Sequence, residues 1–286
     1  MATTIAVSGK GGVGKTTVAA LLIRLLKEQR KGPVLAVDAD PNSNLNELLG
    51  LPTPETIGDI REETQQALLN LPPTMTKETY LSLRIQECIL ESTGFDLLTM
   101  GRQEGPGCYC YINHLLRGYL DGLHRNYRYV VIDNEAGMEH LSRRTTQNVD
   151  LLLIVSDVSQ ASLQAAGRIH KLAHHLKLKI GRSYLLLNRV PASALREGAS
   201  PNPIAALPPT VEANLAATGL DLLGLIPRDD WLEEFSLTAR PIWDLPEDSL
   251  ALRTLAGLLG RIPGLGVTFP AASVAAAAGG GSGPLS

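Results

Sequence analysis

Seven short stretches of the chain are apolar at nearly every position rather than at every second one. They are Thr4–Ser8, Val34–Asp38, Phe95–Met100, Tyr129–Asp133, Leu151–Val155, Tyr184–Leu187 and Leu222–Ile226. Such continuity predicts strands covered on both faces, the condition of a parallel sheet between helical layers. Between them, apolar residues recur at helical spacing over Thr16–Gln29, Lys77–Glu91, Ile112–His124, Ser162–Leu176, Val211–Thr218 and Leu250–Leu259. Strand–helix alternation predicts an α/β fold: a mostly parallel sheet of about seven strands with helices on both faces. In such sheets ligands collect beyond the carboxyl ends of the strands.

Two stretches break the pattern. Ala192–Pro209 is rich in Pro, Ala and Ser and reads as a surface excursion. Ala271–Ser286 combines an alanine run with Gly-Gly-Gly-Ser-Gly, a low-complexity composition that predicts disorder. The chain therefore divides into one domain over 1–265 and a tail over 266–286. Hydrophobic residues make up 44% of the 286 positions and charged residues 19%, enough apolar surface for a large core. A net charge of −3 argues against nucleic acid as the main partner. No apolar run is long enough to span a bilayer, so no stable membrane association is expected. Three cysteines, with no apolar leader before the first strand, point to a reducing cytoplasm.

The chemistry starts at Gly9-Lys10-Gly11-Gly12-Val13-Gly14-Lys15-Thr16, followed by Thr17. The run fits Gly-x-x-x-x-Gly-Lys-Ser/Thr and lies between a strand and a helix, the context of a phosphate-binding P-loop. Glycines let backbone N–H groups approach phosphate oxygens, and the helix N-terminus favours an anion. Lys15 would reach the β- and γ-phosphates of ATP, and Thr16 would offer its hydroxyl to Mg²⁺. Lys10 is not required by that pattern. It fits either a solvated surface lysine or a cation supplied to the nucleotide of a second subunit.

Lys10 and the P-loop around it resemble the deviant Walker A motif of the MinD/ParA/nitrogenase-iron-protein group of P-loop ATPases. Val37-Asp38-Ala39-Asp40-Pro41-Asn42 resembles the group's switch I. Val131-Ile132-Asp133-Asn134-Glu135-Ala136-Gly137 resembles its Walker B and switch II region. The likeness spans roughly residues 1–260 and implies a single P-loop NTPase domain in which ATP joins two subunits. Carried onto this sequence, it implies that Asp38 holds the Mg²⁺ shell through water and that Asp40 orients the attacking water. It makes Asp133 the Walker B carboxylate and has Gly137 give its N–H to the γ-phosphate. Asp38 and Asp40 also suit a turn or a helix cap. Asn188, ending another strand, resembles the group's adenine-reading asparagine and equally suits a turn. Pro227-Arg228 resembles its second base-contact loop.

A second chemical signal is Gly107-Cys108-Tyr109-Cys110. In extended chain, residues two apart project to one side, so both thiolates can address one ion. Soft sulfur ligands favour Zn²⁺, Ni²⁺, Cu(I) or an iron–sulfur cluster. A closed site wants four ligands, and a two-fold homodimer would supply the other two. The alternative is a structural pair beneath a loop. Cys88 falls among apolar residues at helical spacing and reads as core. His114 could add a ligand or simply face solvent. His174-His175, flanked by Lys171 and Lys177, reads as a polar face.

Gly101-Arg102-Gln103-Glu104-Gly105-Pro106-Gly107-Cys108-Tyr109-Cys110, with the run from Asp133 to Arg144, resembles the CooC-type ATPases, accessory proteins for nickel insertion into carbon monoxide dehydrogenase. That resemblance implies a homodimer driven by ATP and metal. In it Cys108 and Cys110 bind Ni²⁺ or Zn²⁺ across the subunit interface, and carbon monoxide dehydrogenase is the client. Two other readings stay open: a MinD-like positioning ATPase and an electron-transfer ATPase with an iron–sulfur cluster. Nitrogenase iron protein also joins its subunits through cysteines, but through widely separated ones, unlike this adjacent pair.

Overall fold

Continuous apolarity translates into a sheet buried on both faces. The computed structural model describes residues 2–29, 32–42, 44–67, 71–101, 126–135, 148–176, 178–191 and 207–265. Eight strands form one sheet: β1 (Thr3–Gly9), β2 (Val34–Ala39), β3 (Leu90–Ser92), β4 (Phe95–Thr99), β5 (Tyr129–Asn134), β6 (Asn148–Ser156), β7 (Lys179–Val190) and β8 (Asp221–Pro227). Their order is β3-β4-β2-β5-β1-β6-β7-β8. All neighbours are parallel except β3 and β4. The seven expected strands are all present, and β3 is additional. It pairs Ser92 with Phe95 around a two-residue turn, Thr93-Gly94, with Gly94 at φ +85°. Glycine in a two-residue loop between strands is the usual hairpin device.

Alternate residues of each central strand feed two separate cores. Ile5, Val7, Val34, Ala36 and Val131 pack on one face, against α1 (Lys15–Glu28), α2 (Leu45–Leu48), α7 (Asp230–Thr238) and α8 (Leu250–Leu259). Ala6, Leu35, Val37, Val130 and Ile132 pack on the other. There the cover is α3 (Ile57–Ala67), α4 (Lys77–Glu87), α5 (Gln160–His175) and α6 (Pro209–Thr218). The strand period of two thus makes a three-layer molecule from one sheet.

Helix α1 is buried almost all round, from Val18 to Leu26. Each of its leucines and its isoleucine contributes roughly 1.5–3 kcal/mol by leaving water. Arg24 sits among them at 4% exposure. Its guanidinium is satisfied by the carbonyls of Ile242 and Leu245 at 2.8 and 2.6 Å and by Glu28 at 2.6 Å. It therefore ties α1 to the 3-10 turn Ile242–Asp244.

Helix α4 stops at Glu87, short of the expected Glu91, because the chain must turn into β3. Helices α2, α3 and α7 are additional to those expected. The helix expected over Ile112–His124 and the tail 266–286 lie outside the described residues, as does 192–206 of the expected surface excursion. No helix among the described residues is long and apolar enough to cross a membrane.

One buried carboxylate joins α7 to α8. Asp229 Oδ1 accepts from the N–H groups of Trp231 and Leu232 at 2.9 and 3.4 Å. Its Oδ2 accepts from Ser249 Oγ at 2.7 Å and Ala251 N at 2.8 Å. One side chain thus serves the first turns of two helices. Asp229→Ala should lower unfolding free energy by about 2–3 kcal/mol, two cap losses plus an orphaned serine, read by denaturant titration. A loss under about 0.5 kcal/mol would show that the two helices are positioned without it.

Candidate functional site

Strand register sets the height of every group in the site. β5 lies between β1 and β2, pairing Asp133 with Val7 on one side and with Asp38 on the other. The two carboxylates therefore stand level on adjacent strands, where β1 leaves the sheet. On the other flank β6 pairs Val155 with Gly9. A Cβ on Gly9 would lie 2.2 Å from the Val155 carbonyl oxygen, so only glycine can turn the chain there. Gly14, at φ +89°, caps α1 in the left-handed region, and no side chain caps that N-terminus. An uncapped helix N-terminus of this kind favours an anion. Lys15 is 7% exposed, and its Nζ lies 3.4 Å from the carbonyl of Lys10. Gly11 and Gly12 are exposed, while Val13 is buried and anchors the loop.

The two carboxylates are buried at 0% and 1% exposure. Asp38 Oδ1 accepts from the Asp40 N–H at 3.0 Å and Oδ2 from the Leu45 N–H at 3.1 Å. Burial pushes its pKa up to about 6, with the two N–H bonds opposing and the neighbouring Asp40 charge assisting. Burial pushes Asp133 up to about 7, against its hydrogen bond from the Thr16 hydroxyl and with help from the Asp38 charge. Among the described residues, Asp133 Oδ1 has no hydrogen-bond partner. A buried carboxylate oxygen with unused capacity, beside a threonine hydroxyl and a second carboxylate, is the donor set a hard dication takes. The residues thus fit Mg²⁺. Asp40 is partly exposed and accepts from the backbone and side-chain nitrogens of Asn42 at 2.9 and 3.1 Å, an Asx turn.

A cavity of about 660 Å³ opens beside the loop. Thr16, Thr17, Asn188, Arg189, Pro227 and Arg228 line one side of it, with α2 and α7 opposite. The fold thus brings both expected base-contact segments to the P-loop. Asn188 Nδ2 donates to the Val13 carbonyl at 2.9 Å, so this amide also braces the loop. Arg228 is exposed and hydrogen-bonds Glu233 at 2.7 Å.

Lys10 is exposed, and Asp157 of the same chain lies within its field. Burial works against ionisation of Asp157, but Ser159, Ser162 and the Lys10 cation together hold its carboxyl below the ordinary range. Neither Asp157 nor Arg189 was identified from sequence. Arg189 had a visible signal, its place directly after Asn188 at a strand end.

Gly137, Cys108, Cys110 and His114 lie outside the described residues. Cys88 is in the core as expected, 1% exposed, with burial pushing its thiol up to about 12, so it stays protonated and inert.

The fold, the glycine-built loop and the paired buried carboxylates define a P-loop ATPase. Residues 4–242 match the model of the CobQ/CobB/MinD/ParA nucleotide binding domain, and the chain belongs to that family. It is 43% identical over 247 residues to an uncharacterized ATP-binding protein of Methanocaldococcus jannaschii, covering 86% of this chain and 92% of that one. It is 37% identical over 187 residues to the carbon monoxide dehydrogenase accessory protein CooC of Rhodospirillum rubrum, covering 61% and 70%. The fold matches the septum site-determining protein MinD of Pyrococcus horikoshii, complexed with Mg-ADP, at TM-score 0.59 and 23% identity over 90% of this chain and 94% of that one. At that identity the match concerns the fold alone.

The buried carboxylates have a measurable consequence. Both titrate above the ordinary aspartate value of 3.8, so the folded chain keeps protons that the unfolded chain has released. Stability without ligands therefore falls as pH rises from about 4 through 7, by up to about 4 kcal/mol for Asp133. Asp133→Asn should raise the unfolding midpoint more at pH 8 than at pH 5, where only part of the loss has set in. It should also remove the Mg²⁺-dependent gain in nucleotide affinity. Identical midpoint differences at the two pH values would contradict the buried-charge account.

Proposed function

We propose that this ATPase is a metallochaperone that delivers nickel to carbon monoxide dehydrogenase. MgATP closes two copies at the carboxyl edge of their sheets, and the two Cys108/Cys110 pairs share one Ni²⁺ (or Zn²⁺) ion. Hydrolysis then opens the pair and frees the metal for the client. The observation that carries this reading is the closely spaced cysteine pair in a chain that is 37% identical, over 187 residues, to a carbon monoxide dehydrogenase accessory protein. Thiolates select soft and borderline ions, and two per chain complete a four-coordinate site only when two chains meet.

In this reading the loop N–H groups and Lys15 hold the β- and γ-phosphates, with Gly137 adding an N–H to the γ-phosphate. Thr16 and Asp133 would hold Mg²⁺, with Asp38 acting through water. When bound, the ion neutralises charge on the β- and γ-phosphate oxygens. Asp40 orients the water that attacks the γ-phosphorus as the bond to the ADP oxygen breaks. Asn188 and Pro227-Arg228 receive the base in the 660 Å³ cavity. Lys10 reaches the partner's nucleotide, so binding energy at one site biases the two-state pair.

Mass spectrometry under non-denaturing conditions should show one Ni²⁺ per two chains. The Cys108→Ala/Cys110→Ala variant should bind none, while retaining ATP in each monomer. Cys88→Ala should alter stability only. Each sulfur must lose a proton to bind, so occupancy should rise with pH. Activation of nickel-free carbon monoxide dehydrogenase should require ATP and both cysteines. One metal per chain, or unchanged binding in the double variant, would overturn the shared site.

A further inference from the structure

The end of β7 reaches back to the P-loop through two consecutive side chains. Asn188 Nδ2 donates to the carbonyl of Val13 at 2.9 Å, and Arg189 Nη1 donates to the carbonyl of Gly12 at 3.0 Å. Successive side chains of a regular strand point to opposite faces, so adjacent residues do not normally converge on one loop. Here the strand is irregular. Leu187 pairs with Leu225 and Val190 with Pro227, so β7 takes three steps where β8 takes two. One extra residue is a β-bulge, a device that re-aims side chains.

Arg189 lies within this bulge at φ +53°, in the left-handed region that residues with a Cβ enter at a cost. The bulge is held on its far side by Arg228 N–H donating to the Val190 carbonyl at 3.1 Å. Non-glycine residues persist in this region where the surroundings impose it, and they concentrate at functional sites.

The contact also fixes peptide orientation. In a trans peptide the carbonyl of one residue and the N–H of the next point in opposite directions. Holding the Gly12 carbonyl toward Arg189 turns the Val13 N–H the other way. Holding the Val13 carbonyl toward Asn188 does the same for the Gly14 N–H. Two consecutive N–H groups locked to one side form a concavity for an anion. Packing is close: a Cβ on Gly14 would stand 2.5 Å from Asn188 Nδ2 and 3.6 and 3.7 Å from Arg189 Nε and Nη2.

We infer that Arg189 is a positioning residue for nucleotide binding, holding the P-loop peptides so that their N–H groups face the phosphates before the nucleotide arrives. Its role is separate from base contact and from the second copy. A loop organised in advance serves ground state and transition state alike, so the effect falls on affinity rather than on turnover.

Arg189→Gly is the informative substitution, because glycine adopts φ +53° freely and only the side chain is lost. Calorimetry with MgADP reads binding without nickel or ATP-driven pairing, so its outcome is independent of the metallochaperone reading. Arg189→Gly should weaken MgADP binding and raise KM for ATP by the same factor, about three- to tenfold, the loss of one hydrogen bond. kcat should stay within about twofold, and the unfolding midpoint should not fall. Arg189→Lys should recover part of the affinity, since an ammonium can still donate to the Gly12 carbonyl. Wild-type MgADP affinity in Arg189→Gly would overturn the inference. So would a fall in kcat with unchanged affinity, or a loss that tracks a lowered midpoint and is not recovered by lysine.

Discussion

The insertion of β5 between β1 and β2 is the constraint on which the site depends. Chain order would place β2 beside β1, yet β5 pairs with both. That single choice sets Asp133 level with Asp38 and two residues short of Gly9 along the register of β1. The P-loop then rises over two carboxylates that no local segment could bring together. Because β1, β2 and β5 are almost wholly buried, slipping the register by one residue would turn apolar side chains out of one core and into the other. Core packing therefore protects the geometry of the site.

Within that frame the site holds unfavourable electrostatics. Two carboxylates stand next to each other in a low-dielectric layer, and their ionised forms are destabilised by burial first and by each other second. The groups that oppose this are the Thr16 hydroxyl, Lys15 and two backbone N–H groups, all tied to the P-loop or to the turn after β2. A cation with a nucleotide would relieve the remaining repulsion. Ligand binding and local stability are thus linked through the same two side chains. The strain at Arg189 follows the same pattern, an unfavourable local feature sustained by a rigid sheet and directed at the loop.

The seven buried strands and the P-loop were legible because each is encoded locally, by continuous apolarity or by glycines at fixed spacing. β3 was not, since three residues carry no period and its signal lies in the Thr93-Gly94 turn. Among its described side chains, helix α3 brings two apolar residues to the core, Ile57 and Ile60, too sparse a stripe to register. Helix α7 is defined by Asp229, whose second oxygen serves residues 20 and 22 positions further on, a relation no window captures. Arg189 was illegible for a similar reason: its direction is set by a bulge that exists only through pairing with β8. Asn188 was legible as a residue type at a strand end, but its bond to Val13 was not.

The central claim is that MgATP draws two chains together across the edge where the P-loop stands, with Lys10 reaching into the partner's site. Sedimentation velocity on metal-free protein tests it directly, using no nucleotide, MgADP and a non-hydrolysable MgATP analogue. The account predicts a shift to dimer with the analogue alone, and a Lys10→Ala variant that binds the analogue yet stays monomeric. A monomer under all three conditions, or a Lys10→Ala variant that dimerises like the wild type, would contradict it.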